Sequence, residues 1–489
     1  MRIIITHLYI MSLLVTWMFG TRHLRSEELD RLDRGHRILI ERGLQIHALT
    51  FGTENSHWWN GWKQSRFTAA SFQSRSPVGQ NIQPDDLWAS WIGSLSDPGR
   101  SMSAEATPFL PGLVSWCFRD ELDLDDPQNR AIVKTWIEAY RPQLPNTLLH
   151  TSEFGSQVSV TNMQRYMQES RPDMVYFDTY PFRTDEPPIG GSPWFLYRDM
   201  VKYRDLGLAG HDGTGKTPIP YGMWLQTFRF AYQDDNSNAS VLWLPSESEM
   251  RLSQFAAWTF GFKHVSAFTY VDVFEQQIGG RIKFIDSPFF TGAFHSTASA
   301  APELLRYAEI NRQSLNLGPA LTRLLSTDIR LIPGPAWTIG GKDPKSTTQM
   351  DLWDDSADPY MTNITAENLG SSNHGHAGDV LVGYFTPLLE RFSGEKCKNE
   401  IYFMMTNGLS ARDKVAANVA QRMTIKFDFG RSGITSLQRL RRRDGQVEVV
   451  DLQPAGGSLY ALDLVLPGGT GDLFKFNTGA PFVGVPVSP

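Results

Sequence analysis

The acidic pair in "FRDELDLDD" is the first stretch of this sequence that could do chemistry. Asp120 and Glu121 come directly after the β-rich run "GLVSWCF". Two adjacent acids that are partly buried separate in pKa, so one can stay protonated and act as a general acid. The acids that follow, Asp123, Asp125 and Asp126, lack the glycine of a calcium loop and indicate a loop and a helix cap.

A second carboxylate follows another predicted strand, in "YFDTYPF". Because side chains alternate along a strand, Tyr176, Asp178 and Tyr180 should share one face. An acid flanked by tyrosines suits a sugar site, since each tyrosine ring has an apolar face and a polar tip. Other polar or aromatic residues near predicted strand ends complete the expected ring of binding residues: Glu153, Trp224, Gln226, Tyr270 and Asp272.

Two carboxylates on opposite sides of a bound sugar are what glycoside hydrolysis needs. One of them protonates the leaving oxygen. The other attacks the sugar at a separation of about 5 Å, or activates a water when the separation is roughly 6.5 to 9.5 Å.

The elements that would position these residues predict an α/β fold, a (β/α)8 TIM barrel, followed by a C-terminal all-β sandwich. Short β-rich runs alternate with helical patterns from about residue 110 to 290, as expected of parallel βα units. Strands are predicted at 44–51, 66–72, 112–118, 147–154, 173–182, 218–228 and 264–274. Seven strands leave the barrel one short, so either one strand is missed or the N-terminal apolar segment supplies it.

The predicted domains are a barrel over residues 21–335 and a sandwich over residues 350–489. In such a barrel the active site lies at the carboxyl ends of the strands, where the polar residues named above are found.

Composition excludes some classes of function. The 489 residues carry a net charge of −6, with 41% apolar and 20% charged residues, as in ordinary soluble proteins. No long basic run is present, so we expect no nucleic-acid partner. The run "RLRRRD" at 439–444 is interpreted as the solvated face of a sheet. Aromatic residues make up 12% of the chain, which suits sugar binding as well as packing.

Two stretches that look like ligand motifs are interpreted as loops. "GHDGTGKT" at 210–217 matches the phosphate-loop pattern, but a helix precedes it and Pro218 and Pro220 forbid the helix that should follow. We therefore expect a helix-to-strand connection at the face opposite the active site, and no nucleotide. "NHGHAGD" at 373–379 has metal-ligand residue types but lies in a glycine-rich loop, so no metal and no cofactor are expected.

The N-terminal segment predicts secretion. Residues 1–20 place a basic residue before an apolar run of signal-peptide length. An uncleaved anchor at residues 3–19 remains the alternative, and no stable membrane partner is otherwise expected. Glycosylation sequons at Asn238 and Asn363 are compatible with an extracellular glycoprotein.

Four segments together resemble glycoside hydrolase (β/α)8 barrels in which a strand ends in Asp-Glu. They are "WCFRDELDLDDP", "MVYFDTYPF", "LQTF" and "LPSESEMRLSQFAAWTFGFKHVSAFTY", within residues 110 to 290. The resemblance implies a carbohydrate substrate and catalysis by carboxylates.

The resemblance leaves several arrangements of the acids open. Retaining barrel glycosidases of the largest clan end strand four in Asn-Glu and strand seven in Glu. Here Glu121 matches the acid/base, but Gln226 stands where the nucleophile would be. Barrels similar to α-galactosidases take acids from strands four and six, which fits Glu121 or Asp120 with Asp178. A third group uses an Asp-Glu pair together with an acetamido group of the substrate.

The leading hypothesis is a glycosidase with Glu121 as general acid/base, Asp178 as second carboxylate and Asp120 tuning Glu121. Tyr180, Trp224, Gln226 and Tyr270 would line the sugar site. The alternative is a non-catalytic carbohydrate-binding protein on a decayed barrel, because the strand-seven acid is missing. A polysaccharide lyase is a third reading.

Overall fold

The chain folds into a closed eight-stranded parallel barrel followed by antiparallel sheets. The computed structural model describes residues 29–50, 56–73, 77–91, 104–234, 237–270, 273–278, 281–291, 299–389, 400–430 and 432–486. The predicted signal segment, residues 1–20, and the predicted site residue Asp272 lie outside these ranges. The predicted fold class, a TIM barrel followed by a C-terminal β region, is confirmed.

Eight consecutively paired parallel strands form the barrel. They are β1 (Gln45–Thr50), β2 (Ala69–Gln73), β3 (Trp88–Trp91), β4 (Leu113–Asp120), β5 (Leu148–Phe154), β6 (Val175–Asp178), β7 (Tyr221–Gln226) and, after an inserted hairpin, β10 (His264–Phe268). Strand β10 pairs with both β7 and β1, which closes the barrel.

Helices cover the outside of the barrel. They are α1 (Arg34–Arg42), α2 (Ser56–Ser65), α3 (Pro127–Tyr140), α4 (Val160–Ser170), α5 (Trp194–Ala209), α6 (Glu247–Phe260) and α7 (Pro302–Leu321). The helix cap predicted at Asp126 is present, since its side chain accepts the Gln128 N–H, and Ser246 and Glu249 form a capping box at the start of α6. None of the helices in the described ranges combines the length and apolar character that crossing a bilayer requires.

The strand missing from the sequence prediction is β3. This four-residue strand pairs with β2 on one side and β4 on the other. The barrel therefore closes without any contribution from residues 1–20, and the alternative of a missed strand is confirmed. With only four residues, this strand is too short to show the alternation of polar and apolar residues that identifies a strand.

Two hairpins rise from the carboxyl ends of β7 and β10. The first is β8 (Arg229–Asp234) with β9 (Ser237–Leu242), and the second is β11 (Val273–Ile278) with β12 (Arg281–Asp286). They join edge to edge in the order β11-β12-β8-β9. Leu242 and Ile285 of this sheet pack with Phe228 against Tyr180 and Phe268, at the carboxyl end of the barrel.

The C-terminal region contains a seven-stranded and a four-stranded sheet. In chain order, the strands of the first are β15 (Leu324–Ile332), β16 (Asp351–Leu352), β18 (Val380–Pro387), β19 (Tyr402–Asn407), β21 (Leu437–Leu440), β22 (Val447–Val450) and β25 (Gly471–Phe476). Those of the second are β17 (Met361–Asn368), β20 (Gln421–Asp428), β23 (Gln453–Gly456) and β24 (Leu459–Leu466). Strand β15 pairs along its length with β18, so the C-terminal sheets begin at Leu324, earlier than the predicted boundary.

Smaller elements complete the described structure: the two-stranded pair β13 (Phe290–Thr291) and β14 (Ser299–Ala300), and the short helices α8 (Ala336–Ile339) and α9 (Pro344–Thr348). A hairpin with an Asp-Gly turn joins β21 to β22, and arginines of the run 439–444 pair with acids, Arg439 with Glu448 and Arg442 with Asp472.

The loop "GHDGTGKT" connects α5 to the amino end of β7, opposite the site, as predicted. The Asp212 carboxylate accepts the Thr214 N–H, so the loop makes its own turn.

Three histidines occupy the barrel interior. The His264 ring lies 4.2 Å from that of His47 and 6.3 Å from that of His150, measured between centroids. Burial lowers the pKa of His47 to about 3 and of His150 to about 4, and burial also lowers the pKa of His264. The interior is therefore neutral at neutral pH and provides no positive charge to the carboxyl end above it.

Gly222 leaves room in this interior for the Tyr176 ring. A methyl group at Gly222 would come within 2.5 Å of that ring and 2.9 Å of the His264 carbonyl oxygen. We expect Gly222→Ala to lower the free energy of unfolding by about 1 to 3 kcal/mol, because the closed barrel cannot expand. Gly340→Ala, at an exposed glycine whose new methyl group has no neighbour nearer than 3.3 Å, is the control. Equal urea-unfolding midpoints for the two variants would contradict this packing.

Candidate functional site

Asp120 reaches the barrel interior because β4 contains a bulge. The three steps from Cys117 to Asp120 run beside only two steps of β5. The extra residue lets Phe118 and Arg119 both face the helices: Phe118 lies 6.2 Å from the Trp136 ring, and the Arg119 guanidinium lies 4.7 Å from it. Simple alternation would turn Asp120 outward, so the bulge re-aims its carboxylate into the barrel mouth.

Glu121 has a strained backbone at the same strand end. Its φ of 46° is in the left-handed region, which non-glycine residues occupy at a cost of about 1 kcal/mol or more. The Glu121 N–H donates to the Ser152 carbonyl at 2.7 Å, and its own carbonyl accepts from Gln157 at 3.0 Å. These bonds hold the strained turn, and the side chain is exposed at the rim.

Asp178 lies on the inner face of β6. Its neighbour Phe177 stacks on Tyr203 of α5 at 4.4 Å, so alternation turns Asp178 inward. Asp178 is 3% exposed, and among the described residues its Oδ1 accepts no hydrogen bond. The half-buried Tyr180 packs edge-on against Phe228 at 4.8 Å. The predicted shared face of Asp178 and Tyr180 thus forms one wall of the mouth.

The pKa values of Asp120 and Asp178 are both raised. Burial raises the pKa of Asp178 well above its ordinary value, and the charges of Asp120 and Glu121 raise it further. Burial and the neighbouring Glu121 raise the pKa of Asp120 to about 7, while the Trp91 indole and the Ser152 hydroxyl oppose this rise. The charge of Asp120 is thus one cause of the raised pKa of Asp178, whereas Asp178 is not among the groups that raise the pKa of Asp120.

Ser152 and Trp224 support Asp120 from below. Trp224 is 4% exposed and donates its indole N–H to the Ser152 hydroxyl oxygen at 3.0 Å. Ser152 lies opposite Asp120 in the strand register. Trp224, predicted to line the sugar site, therefore belongs to the buried floor.

Gln226 holds loops in place. Its Oε1 accepts the Phe182 N–H at 2.9 Å, and its Nε2 donates to the Trp243 carbonyl at 3.0 Å. The side chain is 1% exposed. Its amide thus ties two loops of the mouth together, and little of it faces a ligand.

The structure does not bring Glu153 into the mouth. Its register partner is the outward-facing Phe177, and it shares a face with Thr151, whose hydroxyl bonds to Tyr166 of α4. Glu153 is completely buried, and among the described residues neither carboxylate oxygen has a hydrogen bond of ordinary geometry. Burial raises its pKa well above the ordinary value, and Thr151 opposes this only in part.

Tyr270 is also away from the mouth. Its ring is 1% exposed and contacts Trp62, Phe67 and Phe289 at centroid distances of 5.1 to 6.0 Å. This aromatic cluster is core packing, so the prediction that Tyr270 lines the sugar site is corrected.

Trp91 is the residue that sequence reasoning missed. It ends β3, is 6% exposed, and its indole N–H has no hydrogen bond of ordinary geometry among the described residues although it favours the charged form of Asp120. The only available signal was the repeated tryptophan of "WASW".

The described residues contain no cluster of three or more His, Cys, Asp or Glu able to hold a metal ion.

No protein-family model and no curated protein matches this sequence. Solved glycoside hydrolases do align with the chain. One is a glycoside hydrolase family 5 protein from Bacteroides vulgatus. It has 9% identity and a TM-score of 0.41, and the alignment covers 90% of this chain and 91% of that one. Another is the α-galactosidase I of Mortierella vinacea, with 9% identity, a TM-score of 0.39, and coverage of 89% and 97%.

A Paenibacillus cycloisomaltooligosaccharide glucanotransferase aligns with 7% identity and a TM-score of 0.45, over 88% of this chain and 84% of that one. Identities and TM-scores this low support no transfer of activity. The strand order and the acids by themselves define the class: a (β/α)8-barrel protein with a carboxylate-lined mouth and C-terminal β sheets.

The charge of Asp178 should destabilise the folded chain. Its folded pKa lies above its unfolded value, so stability is lost as pH rises from the unfolded value through the folded one. We expect Asp178→Asn to raise the free energy of unfolding by about 1 to 3 kcal/mol at pH 8, with the gain shrinking towards pH 4. Urea unfolding at both pH values measures this.

The matched control is Asp185→Asn, because the exposed Asp185 is paired with Arg183, which lowers its pKa. That variant should gain no stability at pH 8. A gain for Asp178→Asn that is equally large at pH 4 would rule out the charge as its cause.

Proposed function

We propose that this protein is a glycoside hydrolase whose catalytic carboxylates are Asp120 and Asp178. The observation that carries the proposal is the convergence of two acids, from strands β4 and β6, on one buried mouth with different proton affinities. Glycoside hydrolysis needs one protonated and one charged carboxyl flanking the sugar. Acids that served only in ion pairs or helix caps would need neither burial nor different proton affinities.

Asp178 is the general acid in this proposal. It keeps its proton because it is buried and because Asp120 is already charged. It would give that proton to the leaving oxygen of the glycosidic bond.

Asp120 acts on the sugar from the other side. Once ionised, it either attacks the anomeric carbon or takes a proton from an attacking water. The Trp91 indole and the Ser152 hydroxyl favour its charged form.

Glu121 takes the tuning role in this scheme, the reverse of the order expected from the sequence. Its side chain is exposed at the rim, whereas the bulge aims Asp120 inward. Glu121 raises the pKa of Asp120, and Tyr180 offers the incoming sugar a ring with a hydroxyl close to all three acids.

We further propose, from the N-terminal segment, that the protein is secreted.

A non-catalytic carbohydrate-binding protein is the second candidate. It is favoured by Gln226, because the end of strand β7 carries an amide that is fully engaged with loop backbone. Such a protein would bind sugars at the same mouth without turnover, so hydrolysis assays separate the two.

Loss of either carboxylate should abolish turnover. We expect Asp120→Asn and Asp178→Asn each to lower kcat by about 10³-fold or more, because each loses a proton-transfer or nucleophilic step. Release of reducing sugar from a polysaccharide panel and of phenol from aryl glycosides measures this. Asp123→Asn, in the neighbouring loop, is the matched control. Wild-type rates in Asp120→Asn would sink the assignment, and wild-type protein that binds but never cleaves would support the second candidate.

The pH profile distinguishes the roles of Asp120 and Glu121. Activity requires Asp120 charged and Asp178 protonated, so kcat/KM should rise as pH approaches about 7 and fall again at higher pH. Glu121→Gln removes a charge that raises the pKa of Asp120, so the rising limb should move to lower pH with kcat largely kept. A loss of 10³-fold in Glu121→Gln would instead make Glu121 the acid/base.

A further inference from the structure

A cavity of about 500 Å³ lies where the barrel loops meet the C-terminal sheets. This volume is in the range of small-molecule sites. Its lining comes from four segments of both domains, which include Gly191, Trp243, Glu249, Asn373, Ser410 and Arg412. We call it the junction cavity.

The junction cavity is connected to the proposed catalytic mouth by hydrogen bonds. The Trp243 N–H donates to the Phe182 carbonyl at 3.0 Å, and the Gln226 amide donates to the Trp243 carbonyl at 3.0 Å. One wall is the loop that follows Asp178 and Tyr180 along the chain.

The C-terminal sheets fix the shape of this cavity. The Ser410 hydroxyl donates to the Gly191 carbonyl at 2.6 Å. A methyl group at Gly191, whose φ is 82°, would come 2.0 Å from the Ser410 carbonyl oxygen. The loop and the sheet region thus meet backbone to backbone, and the cavity is pre-formed.

The polar groups of the cavity include both acceptors and donors. Glu249, at 2% exposure, accepts the Trp243 indole N–H at 3.2 Å to Oε1 and retains acceptor capacity. The Arg412 guanidinium lies 5.2 Å from the Trp243 ring centroid. The Arg412 side chain is 58% exposed, and the nearest described carboxylate, Asp413, is 3.9 Å away, too far for a hydrogen bond. The donors of Arg412 remain available to a ligand.

We propose that the junction cavity is a non-catalytic binding site for a neutral pyranose unit of the carbohydrate substrate. The Glu249 carboxyl can accept from one sugar hydroxyl and the Arg412 guanidinium can donate to another, while the rings of Pro187 and Pro188 supply apolar contact. A phosphate, sulfate or uronate would meet the Glu249 carboxylate. The choice of a sugar rests on the proposed function, whereas the existence of a site rests on the cavity.

Affinity electrophoresis of the full chain tests the proposal. The Asp178→Asn protein is run in native gels containing xylan, mixed-linkage β-glucan, galactomannan or dextran, so that the polymer is not cut. At least one polymer should retard it. Adding Arg412→Ala should raise the dissociation constant about tenfold, because charged hydrogen bonds are lost. Asn373→Gly, which keeps the left-handed backbone of Asn373, should also weaken retardation.

The control is Arg443→Ala, which removes an arginine that is 79% exposed elsewhere on the C-terminal sheets. Retardation unchanged by both Arg412→Ala and Asn373→Gly, or equally weakened by Arg443→Ala, overturns the proposal, as does the absence of retardation in all four gels. Hydrolysis by wild type together with unchanged retardation in both Arg412→Ala and Asn373→Gly keeps the proposed function and removes this site. Loss of retardation in Arg412→Ala, when the wild-type protein hydrolyses none of the polymers, keeps this site and removes the proposed function.

Discussion

The burial of two acids, Asp120 and Asp178, at one end of the barrel is the constraint on which the mouth depends. Among the described groups that lower the pKa of Asp120 or Asp178 there is no lysine or arginine. Burying like charges without compensation is costly, and a free chain would relax by turning one side chain out. The bulge in β4 and the alternation of β6 prevent this, because both backbones are fixed in a closed hydrogen-bonded ring.

The rest of the barrel interior maintains this condition. A protonated histidine beneath the mouth would favour ionisation of both acids and remove the difference between them. Burial keeps His47, His150 and His264 neutral instead. The C-terminal sheets contribute from the other side, since Ser410 holds the loop that follows Asp178. The second domain therefore fixes part of the loop that follows Asp178 without contributing either proposed catalytic acid.

Sequence patterns predicted those parts of the structure that depend on local periodicity. Alternation along the strand placed Asp178 and Tyr180 on one face, and the acidic run after β4 predicted the helix cap at Asp126. The inward direction of the Asp120 side chain could not be predicted from the sequence pattern. Simple alternation along β4 would turn this side chain outward, and the bulge turns it into the barrel. Strand β3 was missed because four residues carry no period. Trp91 was missed with it, although it contacts the acid that matters most.

Glu153 shows why a buried acid near a strand end does not by itself define a site. Its pKa is raised by burial, as is that of Asp178, and both have unpartnered oxygens. They differ in the face of the sheet on which they lie. Asp178 lies on the inner face of its strand, towards the mouth, whereas Glu153 is enclosed with Tyr166 and Tyr203 between strands and helices. A carboxyl group in that layer can hold a proton but cannot deliver it to a sugar. A raised pKa therefore identifies buried acids. Only the direction of the side chain separates an acid that could act on a substrate from one that the fold merely tolerates.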